Sequence, residues 1–141
     1  ADAPGGEPTA EQRPGDGAGG PLVLVVEDDR DSASGLRDLL VLEGFRVRIV
    51  HDADAGLALA RTEPPDVVVC DIGLPGRLDG YELARAIRSA PECRSARLLA
   101  VTGRGGAGDR RRALDAGFDD HVAKPFDPAS LGPLLRHLLA G

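Results

Sequence analysis

The stretch LVLVV at Leu22–Val26 runs directly into the acids EDD at residues 27–29. A second apolar run, VVVC at residues 67–70, ends at Asp71. Apolar, β-branched runs of this length predict strands that are buried on both faces of a parallel sheet. Ligands of such sheets bind in the crevice beyond the carboxyl ends of the strands. The two groups of carboxylates are therefore expected to meet in one pocket, where their mutual repulsion favours a bound cation with oxygen ligands, such as Mg²⁺.

Strand and helix patterns alternate along the rest of the chain. The predicted strands cover residues 22–26, 46–50, 67–70, 98–101 and 121–123, and the predicted helices cover residues 31–43, 53–61, 80–89, 107–116 and 128–139. Short strands separated by helices of about ten residues predict a parallel sheet with helices on both faces. The fold class is thus α/β, with a doubly wound, five-stranded parallel sheet and five helices.

Composition and charge narrow the class of protein. The chain has 141 residues, which suits one domain, and its net charge of −6 argues against a general nucleic-acid binder. Residues 1–20 contain no Val, Ile, Leu or aromatic residue and are expected to be a disordered Gly/Pro-rich linker, so the domain is assigned to residues 21–141. No signal-peptide pattern or membrane-length apolar run occurs, and the two cysteines have no metal-ligand spacing. We therefore expect a cytoplasmic location without membrane contact by this segment.

Two further strand ends carry polar side chains. The fourth predicted strand leads into Thr102, and the fifth leads into Lys124-Pro125. Lys124 is the single lysine in a chain with sixteen arginines, which suggests a need for a compact point charge rather than a planar fork. A chance occurrence in an Arg-rich composition is the alternative for this lysine considered by itself.

These residues, taken in order, resemble the receiver domains of two-component response regulators. The family has an acidic pair after the first strand, an aspartate after the third, Thr or Ser after the fourth and Lys-Pro after the fifth, and each motif occurs here. The run Leu74-Pro75 followed by DGYEL at residues 79–83 also looks like the family's loop and third helix. The resemblance covers residues 22–139 and implies a flavodoxin-like sheet with the strand order 2-1-3-4-5.

The resemblance implies a phosphorelay function. Asp71 would accept a phosphoryl group from the phosphohistidine of a histidine kinase or a histidine phosphotransfer domain, and the domain would then switch conformation. Mg²⁺ would be held by Glu27, Asp28, Asp71 and the backbone carbonyl of Gly73. Lys124 and Thr102 would contact phosphate oxygens, and Thr102 would also act in the switch. Such a domain phosphorylates and dephosphorylates itself and is not an independent turnover enzyme.

Several positions depart from the family pattern or stay ambiguous. His121 occupies the place where the family usually carries Tyr or Phe as a rotamer switch, and it is either a switch or an ordinary strand histidine. Asp29 is expected to cap a helix or to lie behind the metal ligands. In the family, side chains two residues beyond the aspartate and the threonine influence the attack of water on the aspartyl phosphate. Gly73 and Arg104 occupy these places here, so slow self-dephosphorylation is predicted. His51 and His137 have no sequence partners and are expected to be ordinary surface residues.

Two alternative functions fit the sequence less well. An aspartyl phosphatase of the haloacid-dehalogenase type needs a second acid where Gly73 stands, and a flavodoxin-like nucleotide binder needs a Gly- or Ser/Thr-rich phosphate loop where EDDR stands at residues 27–30. A degenerate receiver that serves as a non-phosphorylated docking scaffold stays open as an alternative function.

The sequence is most similar to receivers at the C-terminus of hybrid sensor histidine kinases, and a stand-alone regulator is the alternative. The resemblance leaves room for a weak homodimer.

Overall fold

The computed structural model describes residues 19–74, 76, 78–103 and 107–140. The strands are β1 (Leu22–Val26), β2 (Arg46–Val50), β3 (Val67–Asp71), β4 (Arg97–Thr102) and β5 (Asp120–Ala123). The helices are α1 (Arg30–Leu42), α2 (Ala53–Thr62), α3 (Gly80–Ser89), α4 (Ala107–Ala116) and α5 (Leu131–Ala140). In this part of the chain the elements alternate as predicted, while residues 1–18 of the predicted linker lie outside the described residues.

The five strands form one parallel sheet in the order β2-β1-β3-β4-β5. The predicted α/β fold and its strand order are therefore confirmed. All five residues of β1 are buried, as expected for a strand with neighbours on both edges and helices on both faces. No helix of the described residues is long and apolar enough to span a bilayer.

Side chains that alternate along the strands supply two separate cores. Val23, Val25, Val69 and Val101 face α1 and α5, where Leu40 and Leu135 are fully buried. Leu24, Val68, Leu98 and Ala100 belong to the other core, which α2, α3 and α4 cover with small and apolar residues such as Ala60, Ile87 and Ala113. This double cover buries both faces of the sheet and leaves the carboxyl edge of its strands for a site.

Glycines end two of the helices. Gly44 follows α1 with a φ of +97°, and Gly117 follows α4 with a φ of +115°. A residue in this left-handed region closes a helix with little steric cost only when it lacks a Cβ. These glycines explain why α4 ends at Ala116, as the sequence predicts, and why α1 ends at Leu42, one residue earlier than predicted.

The last predicted helix differs from the structure. Residues 128–139 were expected to form one helix, but Pro128–Ser130 is a 3₁₀ turn and α5 begins at Leu131. Asp127 caps the turn by accepting a hydrogen bond from the Ala129 N–H at 3.0 Å. Pro133 has no N–H to donate to the Ala129 carbonyl, so the α-helical hydrogen bonds cannot continue back into this turn.

Candidate functional site

The carboxyl edge of the sheet brings the predicted site residues together. Asp71 is the last residue of β3 and Thr102 is the last residue of β4, one position further into each strand than the sequence predicted. Glu27 follows β1, and Lys124 follows β5. Because all these strands are parallel and in register, their ends meet at one edge.

Three carboxylates form a compact cluster at this edge. Glu27, Asp28 and Asp71 each offer an oxygen, and the three oxygens lie within 4.8 Å of one another. The Glu27 side chain is 7% exposed and that of Asp71 is 13% exposed, whereas Asp28 is exposed. Hard divalent cations prefer oxygen ligands in such an arrangement, with water filling the remaining positions. The cluster therefore fits the metal-ligand set predicted from the sequence.

Lys124 neutralises part of the negative charge of this acidic cluster. Its Nζ lies 3.2 Å from Asp71 Oδ2 and 3.5 Å from Glu27 Oε1. Burial lowers the pKa of the Lys124 ammonium, but the hydrogen bond and the charge of Asp71 outweigh burial and raise it overall. The Lys124 N–H also donates to the Thr102 carbonyl at 2.7 Å, which fixes the start of the segment after β5. The Lys124 ammonium thus stands beside the predicted phosphoacceptor.

The Glu27 carboxyl is buried beside another acid, and both features disfavour its ionised form. Its Oε2 accepts a hydrogen bond from the Asp29 N–H at 3.1 Å. Burial raises the pKa of the Glu27 carboxyl, and the neighbouring Asp71 charge adds to the rise, while the Asp29 N–H and Lys124 oppose it. A cation bound among the acids would supply the charge compensation that this buried carboxylate lacks.

Asp29 has a separate place. It is the N-cap residue of α1, and its Oδ2 accepts a hydrogen bond from the Ser32 hydroxyl at 2.5 Å. Its carboxylate lies outside the cluster formed by Glu27, Asp28 and Asp71. The position agrees with the expectation that Asp29 belongs to the helix start rather than to the metal ligands.

The loop after β3 holds Asp71 from the other side. The Gly73 N–H donates to Asp71 Oδ1 at 2.9 Å. A Cβ at Gly80 would stand 2.8 Å from Ile72 Cα and 2.9 Å from the Asp71 carbonyl oxygen, so the first residue of α3 touches the backbone of this loop. Asp79 and Glu82 form a capping box that fixes the start of α3. The role of the Gly73 carbonyl as a metal ligand stays a prediction.

Thr102 and His121 lie on the α4 side of the site. Thr102 is buried, at 3% exposure. His121 is partly buried, and its Nε2 is shielded from solvent without a hydrogen-bond partner among the described residues. Arg104, the second residue invoked for slow dephosphorylation, lies outside the described residues. The switch roles of Thr102 and His121 stay predictions.

The sequence analysis missed His51, which it treated as an ordinary surface residue. His51 directly follows β2, its Nδ1 lies 2.9 Å from the Glu27 carbonyl oxygen, and its Nε2 lies 3.0 Å from Arg30 Nη1. Its position could have revealed it, because β2 was the one predicted strand whose end had been given no polar residue in the site. All five strands therefore bring a polar residue to this edge.

A cleft of about 460 Å³ opens beside Asp71. It lies between α1 and the segment after β5, and its walls include Gly35, Leu36 and Phe126. The acidic cluster is thus accessible to a small molecule or to a group presented by another protein.

Comparison with known proteins agrees with this architecture. The family model for the response regulator receiver domain matches residues 23–136. The chain belongs to this family. A receiver domain is the part of a two-component system that takes part in phosphotransfer from a histidine kinase, and domains of this family bind Mg²⁺ in the active site.

Sequence relatives of this receiver domain include response regulators. Response regulator MprA of Mycobacterium ulcerans is 38% identical over 117 residues, which are 83% of this chain and 49% of the relative. MprA of Mycobacterium tuberculosis (strain CDC 1551 / Oshkosh) is 37% identical over the same length, 83% of this chain and 50% of the relative. The chain spans about half the length of the curated relatives that it matches.

Solved structures give the same family. The receiver domain of a sensor histidine kinase from Pseudomonas aeruginosa, with a magnesium ion coordinated in its active-site cleft, has a TM-score of 0.79 and 33% identity, and the match covers 86% of this chain and 99% of that one. A CheY-like response regulator receiver domain protein from Methanospirillum hungatei has a TM-score of 0.78 and 27% identity, with 86% and 94% coverage.

Proposed function

We propose that Asp71 is the phosphoacceptor of this receiver domain and that its donor is a phosphohistidine on a histidine kinase or a histidine phosphotransfer domain. The observation that carries the proposal is the convergence of Glu27, Asp28 and Asp71 oxygens within 4.8 Å, with the Lys124 ammonium 3.2 Å from Asp71. A nucleophilic carboxylate, a site for a cation and a fixed positive charge are what phosphoryl transfer between anions requires.

The step can be written from the side chains. A carboxylate oxygen of Asp71 attacks phosphorus, an O–P bond forms, and the P–N bond to the donor imidazole breaks. The electron pair of that bond returns to the imidazole nitrogen, which takes up a proton from solvent. Mg²⁺, when bound by Glu27, Asp28, Asp71 and the Gly73 carbonyl, would supply charge neutralisation and orient the phosphoryl oxygens.

Lys124 and Thr102 act on the phosphoryl oxygens in this proposal. The Lys124 ammonium leaves its contact with the Asp71 carboxylate for a phosphate oxygen, so that its charge follows the negative charge. The Thr102 hydroxyl, at the end of the neighbouring strand, donates to another oxygen. Adding a dianionic group to this edge changes the hydrogen bonds of both residues, and we expect the change to reach α4 through His121.

Acetyl phosphate with Mg²⁺ tests the proposal without knowledge of the partner. The expected result is a single phosphoryl adduct by intact mass spectrometry, which is absent from Asp71→Asn and unchanged in Asp115→Asn, an exposed acid on α4. An adduct that persists in Asp71→Asn would refute the assignment. A wild-type chain that forms no adduct under these conditions would favour the docking-scaffold alternative instead.

A further inference from the structure

His51 links the end of β2 to the β1–α1 segment that carries Glu27 and Asp28. Its ring contacts the Glu27 carbonyl through Nδ1, and Arg30 at the start of α1 through Nε2. A guanidinium can only donate hydrogen bonds, so Nε2 must be the acceptor in the contact with Arg30. The ring proton therefore resides on Nδ1, and His51 donates it to the Glu27 carbonyl oxygen at 2.9 Å.

The carbonyl that His51 holds belongs to the peptide unit between two proposed metal ligands, Glu27 and Asp28. This unit is planar and contains the Cα atoms of both residues, so its orientation determines where both carboxylates leave the backbone. The N–H of Glu27 is fixed as well, because it donates to the Val50 carbonyl at 3.1 Å. The β1–β2 ladder thus holds the peptide before Glu27, and His51 holds the peptide after it.

We propose that His51 is a positioning residue for the metal site: its Nδ1–H holds the Glu27–Asp28 peptide in the orientation that brings both carboxylates to Asp71. The inference deepens the proposed function and rests on it, because it requires that these acids bind Mg²⁺. Hydrogen-bond partners behind metal ligands typically change metal affinity about 10- to 100-fold, and we expect an effect of about tenfold because His51 acts through the backbone.

Replacing His51 by Asn or by Gln tests its two hydrogen bonds separately. In His51→Asn the amide nitrogen takes the place of Nδ1 and can still donate to the Glu27 carbonyl. In His51→Gln the amide takes the place of Nε2 and can reach only Arg30. His51→Leu removes both contacts, and His137→Leu, an exposed histidine on α5, is the matched control.

Isothermal titration with Mg²⁺ alone measures the affinity without any phosphoryl transfer. We expect His51→Leu and His51→Gln to bind Mg²⁺ about tenfold more weakly than wild type, and His51→Asn and His137→Leu to bind it like wild type. If His51→Leu does not fold, the comparison of Asn with Gln decides. Equal affinities for Asn and Gln would mean that His51 is only a structural link, and would overturn the inference.

The failure of the inference and that of the proposed function give different results. A wild-type chain that binds no Mg²⁺ would refute the metal site and the inference with it. A wild-type chain that binds Mg²⁺ and gains a phosphoryl group on Asp71, together with unchanged affinity in all three His51 variants, would leave the function intact and refute the role of His51 alone.

Discussion

The ammonium of Lys124 lies 3.2 Å from Asp71 Oδ2, although 53 residues separate the two in sequence and β4 lies between their strands. The lysine side chain reaches across the end of β4 to make this contact. Its stem is partly covered while 41% of the side chain remains exposed. This ion pair therefore sits at the rim of the acidic cluster, where an incoming anion meets the ammonium first.

Lys124→Ala should slow phosphorylation by acetyl phosphate. The ammonium is the fixed positive charge nearest to Asp71 among the described residues, and losing such a group from a site typically costs roughly 100-fold in rate. The rate of adduct formation at saturating Mg²⁺ is the measurement. Lys124→Arg keeps the charge but spreads it over a planar fork, so an intermediate rate is expected. Equal rates for Lys124→Ala and wild type would contradict the role.

The sequence allowed the acids and Thr102 to be placed because each follows an apolar run with clear strand character, whereas Lys124 was placed by the Lys-Pro motif after the short run at residues 121–123. His51 follows a strand as well, but a hydrogen bond to a backbone carbonyl leaves no pattern in the side chains. Arg48 shows the same limit. Arg48 lies between two core residues of β2, yet it is itself buried at 8% exposure and makes two 3.0 Å hydrogen bonds with Glu63. Its partner at the end of α2 could not be inferred from spacing.

Glu27→Gln should stabilise the metal-free protein at neutral pH. Burial raises the pKa of Glu27 above its ordinary value of 4.5, so the ionised form is less favourable in the folded protein than in the unfolded chain. Below 4.5 both states carry the neutral acid and no stability is lost; as pH rises through the raised pKa, the folded wild type loses stability. The amide avoids this loss and still offers an oxygen to the Asp29 N–H.

Urea unfolding between about pH 4 and pH 8 measures this effect. The advantage of Glu27→Gln should grow as pH rises and then level off, and saturating Mg²⁺ should reverse it by stabilising wild type. Glu92→Gln is the control of opposite sign, because its own backbone N–H and Arg61 lower the pKa of Glu92. A Glu27→Gln variant that is less stable than wild type throughout this range would show that the ionised Glu27 carboxylate does not destabilise the fold.

Gly73→Asn should shorten the lifetime of the phosphoryl group on Asp71. A Cβ at Gly73 would lie 3.7 Å from Asp71 Oδ1, in ordinary contact, so a side chain at this position stands beside the carboxylate. An amide there can orient an attacking water, whereas glycine and alanine cannot. Decay of the adduct by intact mass should therefore be slow in wild type and Gly73→Ala and faster in Gly73→Asn. Rapid decay of the adduct in wild type would contradict this prediction.

Arg88→Ala should destabilise the fold without touching the site. Arg88 on α3 donates from Nε to the Gly117 carbonyl at 3.0 Å, from Nη1 to the Ala96 carbonyl at 2.6 Å and from Nη2 to Asp119 at 2.9 Å. The loss of several charge-assisted bonds should cost about 3 kcal/mol of unfolding free energy. Urea unfolding measures it, with the exposed Arg85→Ala on the same helix as a near-neutral control. Equal stability of the two variants would refute this role.

A pair of glycine substitutions separates packing at the site from helix propensity. Gly80→Ala places a Cβ against the backbone of Ile72 and Asp71, at 2.8 and 2.9 Å, so α3 must move away from the loop beside Asp71, the proposed phosphoacceptor. Gly35→Ala adds its Cβ in the middle of α1, where no atom other than its chain neighbours and the helix backbone lies within 4 Å. We expect Gly80→Ala to lose about 1–3 kcal/mol of stability and to bind Mg²⁺ more weakly. Gly35→Ala should instead gain up to about 1 kcal/mol, because alanine favours a helix interior over glycine. Urea unfolding and Mg²⁺ titration of both variants test the pair, and a Gly80→Ala variant with wild-type stability and Mg²⁺ affinity would show that the close approach of α3 is not needed.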